Sequence, residues 1–410
     1  MKNVISGPLK PIQDTICIPS SKSISNRMLI IRALANDFME LKNLSDSDDT
    51  YVLKNALENN ETIKDVGHAG TAMRFLTAYL SAIPGEFTLT GSHRMKQRPI
   101  GSLVKALRNL GAQIEYKENE GCPPLQIGAG ILKGGSIEIE AGISSQFISA
   151  LMMIGPVLEG GLRIKLNGEV VSASYVEMTL SLMTQNGIDA SFDGKQIIIP
   201  EQAYTLKGLH IESDWSGASY WYQIAALLPG SSIKLPYLSP QSLQGDAVLV
   251  DIFEALGVKS QFQKDGVLLN SKSIVKPESF DYDFTLCPDL VQTCAVTLCA
   301  MGIPYKFTGT RTLRVKETDR IKALESELKK FGFLLNSEES GAWIGWDGSR
   351  CEPDIGPVIQ TFHDHRMAMA FAPFAIGNSQ IAIEDPGVVT KSYPAYWDDL
   401  IKVGFKVSVS

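Results

Sequence analysis

The sequence of 410 residues predicts a mixed α/β fold (α+β) made of one repeated unit, with six units arranged as two lobes of three. Three features recur in step along the chain and carry this prediction. Short polar clusters open apolar helical runs, amphipathic runs ending in glycine follow them, and an alternating strand-like segment lies between the two. Because the spacing is about seventy-five residues, it indicates a copied supersecondary unit whose neighbours must associate to bury their apolar faces.

The polar clusters predict the start of the first helix in each unit. They are rich in Ser, Thr, Asp and Gly, the residues that satisfy free backbone donors at helix N-termini. In chain order the clusters are Ser20–Ser23, His68–Thr71, Ser144–Gln146, Asp214–Gly217, Cys287–Asp289 and His363–Arg366.

The second helix of each unit is predicted from apolar residues at helical spacing with a glycine after the last turn. These runs are Leu103–Gly111, Tyr175–Gly187, Ala247–Gly257, Ile321–Gly332 and Tyr396–Gly404. Alternating segments that predict the intervening strands are Glu86–Thr90, Leu162–Leu166, Ser232–Leu235, Tyr305–Thr308 and Gln380–Ile383. Each unit therefore reads as helix, strand, helix and a strand pair.

The first unit is short, and the N-terminal residues account for this. Val4-Ile5 and Ile16–Ile18 have strand-like composition, so we expect them to join sheets of the C-terminal half. The return crossover is expected near Ile211–Ser213. The predicted lobes are residues 1–18 with 212–410 and residues 19–211, with the active site in the cleft between them.

Composition favours a large cytoplasmic enzyme. The formal net charge of −7 is unlike the basic field of a nucleic-acid-binding surface. No apolar run has the length of a transmembrane helix, and the N-terminus lacks a secretory pattern. The six cysteines form no Cys-x-x-Cys pair, which favours free thiols over disulfides or a zinc site.

Local groups of cations are the most specific chemical signal. Lys22 and Arg27 lie within the first turns of one predicted helix, where a phosphate could meet both charges and the backbone N–H groups. The alternative is an ordinary capped helix with solvated cations. Arg94–Pro99 and Arg314–Ile321 fall at matching phases of the repeat, which favours a shared anion site. The two histidines of His363–Arg366, next to a cation, make a poor metal site.

Motifs along nearly the whole chain resemble the 5-enolpyruvylshikimate-3-phosphate synthase family. The motifs are Ser21–Arg27, Ala69–Arg74, Arg94–Ile100, Ser144–Gln146, Val315–Arg320, Asp364–Met369 and Lys391. The resemblance implies the two-lobed enolpyruvyl transferase fold, in which each lobe has three βαβαββ repeats around buried helices.

The resemblance implies transfer of the enolpyruvyl group of phosphoenolpyruvate to the 5-hydroxyl of shikimate 3-phosphate, with release of phosphate. This reaction belongs to the shikimate pathway of chorismate and aromatic amino-acid biosynthesis. The resemblance implies no cofactor and no metal. The expected partners are the two small-molecule substrates, without nucleic acid or membrane, and the expected state is a monomer.

The same resemblance implies the substrate contacts. Shikimate 3-phosphate is expected to bind to Lys22, Ser23, Arg27, Ser144, Ser145, Gln146, Ser172, Tyr175, Asp289 and Lys316. Phosphoenolpyruvate is expected to bind to Lys22, Gly70, Arg98, Gln146, Arg320, Arg366 and Lys391. The many cations offset the repulsion between two adjacent anions.

Three residues are expected to carry the chemistry. Asp289 is the expected base for the 5-hydroxyl, Glu317 is expected to act on the methylene carbon, and Lys22 is expected to share the proton transfers. An N-cap Asp and a first-turn Glu are the alternative interpretations of the two acids. Because cations lower the pKa of a carboxyl, proton donation by Glu317 requires desolvation or substrate charge to raise that pKa.

Five positions depart from the usual family motifs and bear on affinity for substrates or inhibitors. They are Ser20, His68, Phe75, Gln97 and Thr312. Two other functions fit the scaffold. The enzyme that transfers enolpyruvyl to UDP-N-acetylglucosamine uses a loop cysteine, which the region Arg94–Arg98 lacks. A non-catalytic phosphometabolite-binding protein would be expected to have lost Lys22, Asp289, Glu317 or Lys391.

Overall fold

The computed structural model describes residues 1–128, 130–140, 142, 144–168, 172–208, 210–378 and 380–410. The chain divides into two compact units. The first unit contains Met1–Pro19 and Glu212–Ser410, and the second contains Ser20–Ile211. The first unit therefore includes both ends of the chain.

In its described residues the first unit contains three four-stranded sheets. Across one sheet the strands are, in order, Val358–Ile359, Ile381–Glu384, Lys2–Ser6 and Lys406–Val409. Across another they are Val258–Gln263, Gly266–Ser271, Ser232–Pro236 and Gln13–Thr15. The third consists of Phe280–Asp283, Tyr305–Thr308, Trp343–Trp346 and Asn336–Ser337. The α-helices are Trp215–Leu227, Leu249–Glu254, Val291–Met301, Arg320–Lys329, His365–Phe371 and Tyr396–Lys402. Short 3-10 helices are Gly245–Val248, Pro288–Leu290, Arg311–Val315, Ala372–Ala375 and Pro386–Lys391.

The described part of the second unit contains two four-stranded sheets and an isolated parallel bridge between Lys42 and His210. Across one sheet the strands are, in order, Ile63–Asp65, Phe87–Thr90, Leu125–Ile127 and Ile114–Tyr116. Across the other they are Lys133–Glu140, Glu159–Asn167, Gln196–Ile199 and Ser191–Phe192. The α-helices are Lys22–Leu34, Asp48–Glu58, Gly70–Ala82, Gly101–Asn109, Ser145–Ile154 and Ala173–Gln185, with 3-10 helices at Met95–Gln97 and Gly155–Val157.

All five sheets share one strand pattern. Each contains one parallel pair at an edge, followed by two antiparallel pairings. In four of the sheets a single α-helix lies between the parallel strands, as in Phe280–Asp283 and Tyr305–Thr308, which flank Val291–Met301. In the fifth, the parallel strands Gln13–Thr15 and Ser232–Pro236 are separated by the whole second unit. This is the βαβαββ repeat, and the predicted mixed α/β fold of repeated units is confirmed.

The first helices of the repeats form the centre of each unit. In the first unit Trp215–Leu227 and His365–Phe371 both contact Val291–Met301, and nearly every residue of these helices is buried. In the second unit Lys22–Leu34, Gly70–Ala82 and Ser145–Ile154 contact one another. Helices that are apolar all round are stable only when surrounded by protein, so the sheets and second helices must cover them.

The predicted helix ends are confirmed. Ser21, Ser144, Asp214 and Asp364 are N-cap residues whose side chains accept backbone N–H bonds. The glycines that end the second helices all have positive φ, between 84° at Gly332 and 103° at Gly111. Only glycine adopts this conformation without a Cβ penalty, which explains why the helices end there.

The N-terminal strands differ in detail from the prediction. Lys2–Ser6 pairs with Ile381–Glu384 and with Lys406–Val409, but the second strand is Gln13–Thr15 and not Ile16–Ile18. The Ile18 N–H bonds back to the carbonyl of Ile16, so the ladder is not continued. Ile16 and Ile18 are both buried, so their spacing in the sequence resembles that of a strand although they form none. None of the described helices is long and apolar enough to cross a membrane.

Candidate functional site

In the first unit, the short segments that precede four of the helices bring ionised side chains together. Asp289 lies in the 3-10 turn before Val291–Met301, and Arg320 begins the helix Arg320–Lys329. Asp364 caps the helix that contains Arg366, and its Oδ1 accepts the Arg366 N–H at 2.9 Å. Lys391 ends a 3-10 turn. The cluster therefore depends on four separate loop-to-helix junctions.

Arg320 is at the centre of this cluster. Its side chain is 2% exposed and contacts three carboxylates: Asp364 at 2.7 Å, Asp289 at 2.9 Å and Glu317 at 3.1 Å. Burial alone would lower the pKa of the Arg320 guanidinium, but Asp364, Glu317 and Asp289 outweigh burial and raise it. The guanidinium therefore stays charged and fixes the separation of the two predicted catalytic acids.

Asp289 has further cationic partners. Arg366 Nη2 lies 2.8 Å from its Oδ2, and Lys316 Nζ lies 3.7 Å from its Oδ1. Burial alone would raise the pKa of Asp289, but the charges of Arg366, Lys316 and Arg320 overcome burial and hold it well below the ordinary value of 3.8. Asp289 is therefore ionised and can accept a proton.

Glu317 bridges two cations. Its Oε1 lies 2.5 Å from Lys391 Nζ, and its Oε2 lies 3.1 Å from Arg320 Nη2. The side chain of Lys391 is 6% exposed, so this ion pair is largely shielded from water. The first unit thus brings together all six of its predicted site residues: Asp289, Lys316, Glu317, Arg320, Arg366 and Lys391.

Arg27 is the most buried cation among the predicted site residues of the second unit. Its guanidinium donates to Thr179 Oγ1 at 2.7 Å, Ser23 O at 2.9 Å and Ser149 Oγ at 3.1 Å. It also lies 5.6 Å from the ring centroid of Tyr175. Burial lowers the pKa of Arg27 to about 10. Within the described part of the chain, every hydrogen-bond acceptor of this side chain is an uncharged oxygen.

Lys22 lies in the first turn of the same helix, after the N-cap residue Ser21. Its Nζ is 3.5 Å from Oδ2 of Asp49, whose side chain is 3% exposed. Asp49 belongs to the first turn of the neighbouring helix Asp48–Glu58. The two helix N-termini therefore place a partly exposed ammonium next to a buried carboxylate.

Gly70 and Arg98 form a close contact. A Cβ on Gly70 would lie 2.6 Å from Arg98 Nη1, which is too short for a stable contact. The guanidinium of Arg74 supports the same region by donating to the carbonyls of Gly70 at 3.1 Å and Pro99 at 3.4 Å. The absence of a side chain at Gly70 therefore lets the Arg98 guanidinium lie against the first turn of the helix.

The remaining predicted residues of the second unit lie at two helix N-termini. Ser144 caps Ser145–Ile154, and Gln146 Nε2 donates to Thr71 Oγ1 at 3.2 Å. Ser172 precedes Ala173–Gln185 in the left-handed conformation, with φ 58°. A non-glycine residue at positive φ is uncommon, so the surrounding structure must hold it there.

Sequence reasoning missed several residues around these groups. It assigned no role to the carboxylate of Asp364 toward Arg320, to Asp49 beside Lys22, or to the hydroxyls of Ser149 and Thr179 beneath Arg27. Ser149 and Thr179 lie inside apolar helices. A hydroxyl residue within an otherwise apolar helical run was the only sequence signal for their role beside Arg27. Asp364 was visible as an N-cap, but its second function depends on a residue 44 positions away.

Comparison with known proteins identifies the family of this chain. The sequence profile of the family described as EPSP synthase (3-phosphoshikimate 1-carboxyvinyltransferase) matches residues 7–59 and 52–400. The chain is 50% identical to the 3-phosphoshikimate 1-carboxyvinyltransferase of Bacteroides fragilis (strain YCH46), covering 100% of this chain and 99% of the relative. It is 36% identical to the enzyme of the same name from Vibrio atlanticus (strain LGP32), covering 98% and 99%.

The fold is similar to a solved structure as well. The EPSP synthase from Acinetobacter baumannii superposes with a TM-score of 0.78 at 22% identity, covering 100% of both chains. At this identity the likeness concerns the fold alone, whereas the profile and the relatives extend over nearly the whole sequence. The chain therefore belongs to the EPSP synthase family.

Proposed function

We propose that this chain transfers the enolpyruvyl group of phosphoenolpyruvate to the 5-hydroxyl of shikimate 3-phosphate and releases phosphate. The observation that carries the proposal is the bridging of Asp289 and Glu317 by Arg320, with Arg366, Lys316 and Lys391 around them. Two acids held among four cations supply proton acceptors and donors next to groups that attract anions. The 3-phosphoshikimate 1-carboxyvinyltransferase relatives support this substrate assignment.

In the proposed mechanism Asp289 accepts the proton of the 5-hydroxyl. Its pKa lies well below 3.8 while Arg366 and Arg320 contact it. An anionic substrate that draws these guanidinium groups away raises the pKa of Asp289 toward the range that a general base needs. Asp289 thus becomes a stronger base when phosphoenolpyruvate, the substrate assigned to Arg366 and Arg320, is bound.

Glu317 is assigned to the protonation of the methylene carbon and to the return of that proton when phosphate leaves. Its ion pairs with Lys391 and Arg320 favour the ionised form. Engagement of both cations with phosphoenolpyruvate would remove this stabilisation of the carboxylate, so that Glu317 can carry a proton. Lys22 is the third proposed catalytic group and shares the proton transfers.

The proposed shikimate 3-phosphate ligands are Lys22, Ser23, Arg27, Ser144, Ser145, Gln146, Ser172, Tyr175, Asp289 and Lys316. Arg27 is the strongest support among them. A buried cation whose hydrogen-bond acceptors are neutral is costly, and a phosphate or carboxylate nearby would offset that cost. Strongly perturbed groups of this kind are typical of functional sites.

The proposed phosphoenolpyruvate ligands are Lys22, Gly70, Arg98, Gln146, Arg320, Arg366 and Lys391. Two features support this assignment: the close approach of Arg98 to Gly70, and the concentration of Arg320, Arg366 and Lys391 in one cluster. Guanidinium groups suit bidentate contact with a phosphate or a carboxylate.

The wider organisation is part of the proposal. We assign the two lobes to residues 1–18 with 212–410 and residues 19–211. We further propose that the protein works in the cytoplasm as a monomer on its two small-molecule substrates, without nucleic acid, cofactor or metal. Light scattering of the purified protein at micromolar concentration tests the oligomeric state.

Phosphate release from phosphoenolpyruvate, measured with and without shikimate 3-phosphate, tests the proposed reaction. We expect release that saturates in both substrates and stops when either is withheld. Release independent of shikimate 3-phosphate, or no release with both substrates present, would contradict the proposal. Asp281→Asn is a suitable control variant, since Asp281 is an exposed acid in the same repeat as Asp289 and has no assigned role.

A further inference from the structure

A buried carboxylate, Asp246, lies beside the site but has no role in the proposed mechanism. It belongs to the 3-10 turn Gly245–Val248, and the whole residue is 5% exposed. Its Oδ2 accepts a very short hydrogen bond from the hydroxyl of Ser216, in the first turn of Trp215–Leu227. Because an isolated buried carboxylate is costly, this position requires an explanation.

Ser216 links Asp246 to the cation cluster. The Ser216 Oγ accepts a hydrogen bond from Arg366 Nη2 at 3.4 Å, while the same nitrogen contacts Asp289 Oδ2 at 2.8 Å. The hydroxyl can donate to Asp246 and accept from Arg366 at once. A continuous chain therefore runs from Asp246 through Ser216 to Arg366 and Asp289.

Both signs of charge surround Asp246. Burial raises its pKa most, and Asp289 raises it further, whereas Arg366 and the Ser216 hydroxyl lower it; the resulting pKa is about 7. The titratable and charged groups that face Asp246 come from four neighbouring elements. They are Asp214, Cys287, Asp289, Cys294 and Arg366.

We propose that Asp246 is a positioning residue for Arg366, acting through Ser216, and that it takes up a proton when the phosphoenolpyruvate anion binds to Arg366. This inference rests on the proposed function, which assigns Arg366 to phosphoenolpyruvate. With Asp246 ionised, four carboxylates face the four cations of the cluster, and an added anion leaves an excess of negative charge. Transfer of a proton from solvent to the Asp246 carboxylate removes one of these negative charges.

The proposal predicts the direction of a pH effect. At acidic pH Asp246 is already protonated, so the anion binds without proton uptake. As the pH rises through about 7, binding requires uptake of a proton and weakens. The KM for phosphoenolpyruvate should therefore rise with pH, by about tenfold for each unit by which the bound anion raises the pKa of Asp246.

Asp246→Asn isolates this effect, because the amide oxygen can still accept the Ser216 bond but cannot titrate. We expect wild type and Asp246→Asn to have similar KM values for phosphoenolpyruvate at pH 6, with wild type rising about tenfold above the variant by pH 8.5. The phosphate of phosphoenolpyruvate also ionises near pH 6. That ionisation is common to both proteins and cancels in their ratio. Asp251→Asn, at an exposed acid on the next helix, should follow wild type.

Ser216→Ala tests the positioning part independently and guards against a misfolded Asp246 variant. Loss of the hydroxyl should raise the KM for phosphoenolpyruvate several-fold at every pH, with an unchanged KM for shikimate 3-phosphate and a near-normal melting temperature. An unchanged KM for phosphoenolpyruvate in Ser216→Ala, or parallel pH profiles of wild type and Asp246→Asn, would overturn the inference. If Arg366→Lys also leaves that KM unchanged, the assignment of Arg366 itself has failed.

Discussion

The two most buried guanidinium groups of the site, Arg320 in the first unit and Arg27 in the second, are held in opposite ways. In the first unit Arg320 lies among three carboxylates, and Arg366 and Lys391 each contact one. In the second unit Arg27 is equally buried but its hydrogen bonds go to hydroxyl and carbonyl oxygens. Arg320 is thus compensated by carboxylates of the protein, whereas the described hydrogen-bond acceptors of Arg27 carry no charge.

This difference is consistent with separate roles in the proposed function, anion binding for Arg27 and proton transfer for the acids around Arg320. An uncompensated cation attracts an anion strongly, which is the physical basis of the role proposed for Arg27 in binding shikimate 3-phosphate. A compensated cluster attracts an anion less, but an arriving anion competes with Asp289 and Glu317 for their cations and thereby raises the lowered pKa of Asp289. Such a cluster suits proton transfer that begins only after substrate binding.

The largest expected effect concerns the acids of the first unit. Asp289→Asn and Glu317→Gln keep the shape of each side chain but remove its ability to exchange a proton. We expect kcat to fall by about a hundred- to ten-thousand-fold, with a much smaller change in shikimate 3-phosphate affinity. Steady-state rates and equilibrium titration of shikimate 3-phosphate measure the two quantities. Near-normal kcat in either variant would show that its acid has no part in proton transfer.

The next prediction compares truncation of the two buried guanidinium groups. Arg320→Met leaves Asp364 and its neighbouring acids without their central cation, so we expect a loss of about 3–5 kcal/mol in the free energy of unfolding. Arg27→Met leaves only neutral oxygens without a hydrogen-bond donor, and we expect the free energy of unfolding to fall by no more than about 1–2 kcal/mol. Urea denaturation of both variants decides this.

The variant with the smaller loss of stability, Arg27→Met, should have the larger loss of affinity for shikimate 3-phosphate. Arg27→Met should weaken shikimate 3-phosphate binding strongly while the protein remains well folded. Equal destabilisation by the two substitutions would refute the contrast between a compensated and an uncompensated cation.

A smaller effect is expected from Gly70→Ala. The added methyl group would lie 2.6 Å from Arg98 Nη1, so the guanidinium must move away from the helix. We expect the KM for phosphoenolpyruvate to rise about tenfold, equivalent to about 1.4 kcal/mol, with little change in the KM for shikimate 3-phosphate. Gly208→Ala is the matched control, because a Cβ there meets no atom within 4 Å. Equal KM values for both variants would contradict the proposed contact.

The smallest expected effect is a pH dependence of stability. The folded-state pKa of Asp289 is lowered, so its contribution to stability is present above the unfolded pKa, about 3.9, and is lost as the pH falls from there toward the folded pKa. The difference in unfolding free energy between wild type and Asp289→Asn should therefore shrink when the pH is lowered from 7 to 3. Urea denaturation at both pH values measures it, and an unchanged or larger difference at pH 3 would contradict the lowered pKa.

Much of the fold could be predicted because the repeat makes local signals consistent. The caps Ser21, Ser144 and Asp364 and the positive-φ glycines act within a few residues of where they stand, so they are visible in sequence. The strand Gln13–Thr15 was misplaced because its pairing with Ser232–Pro236 is set more than two hundred residues away.

The sequence by itself determined the repeat, the family and the identity of the charged residues, since these depend on spacing and on motifs. Tertiary structure decided how the charges are compensated: that Arg320 binds Asp364 across 44 positions, that Arg27 lies on hydroxyls, and that Asp246 reaches Arg366 through Ser216. The physical reason is that a pKa depends on burial and on charges within a few ångströms. Those distances arise only when separate repeats pack together.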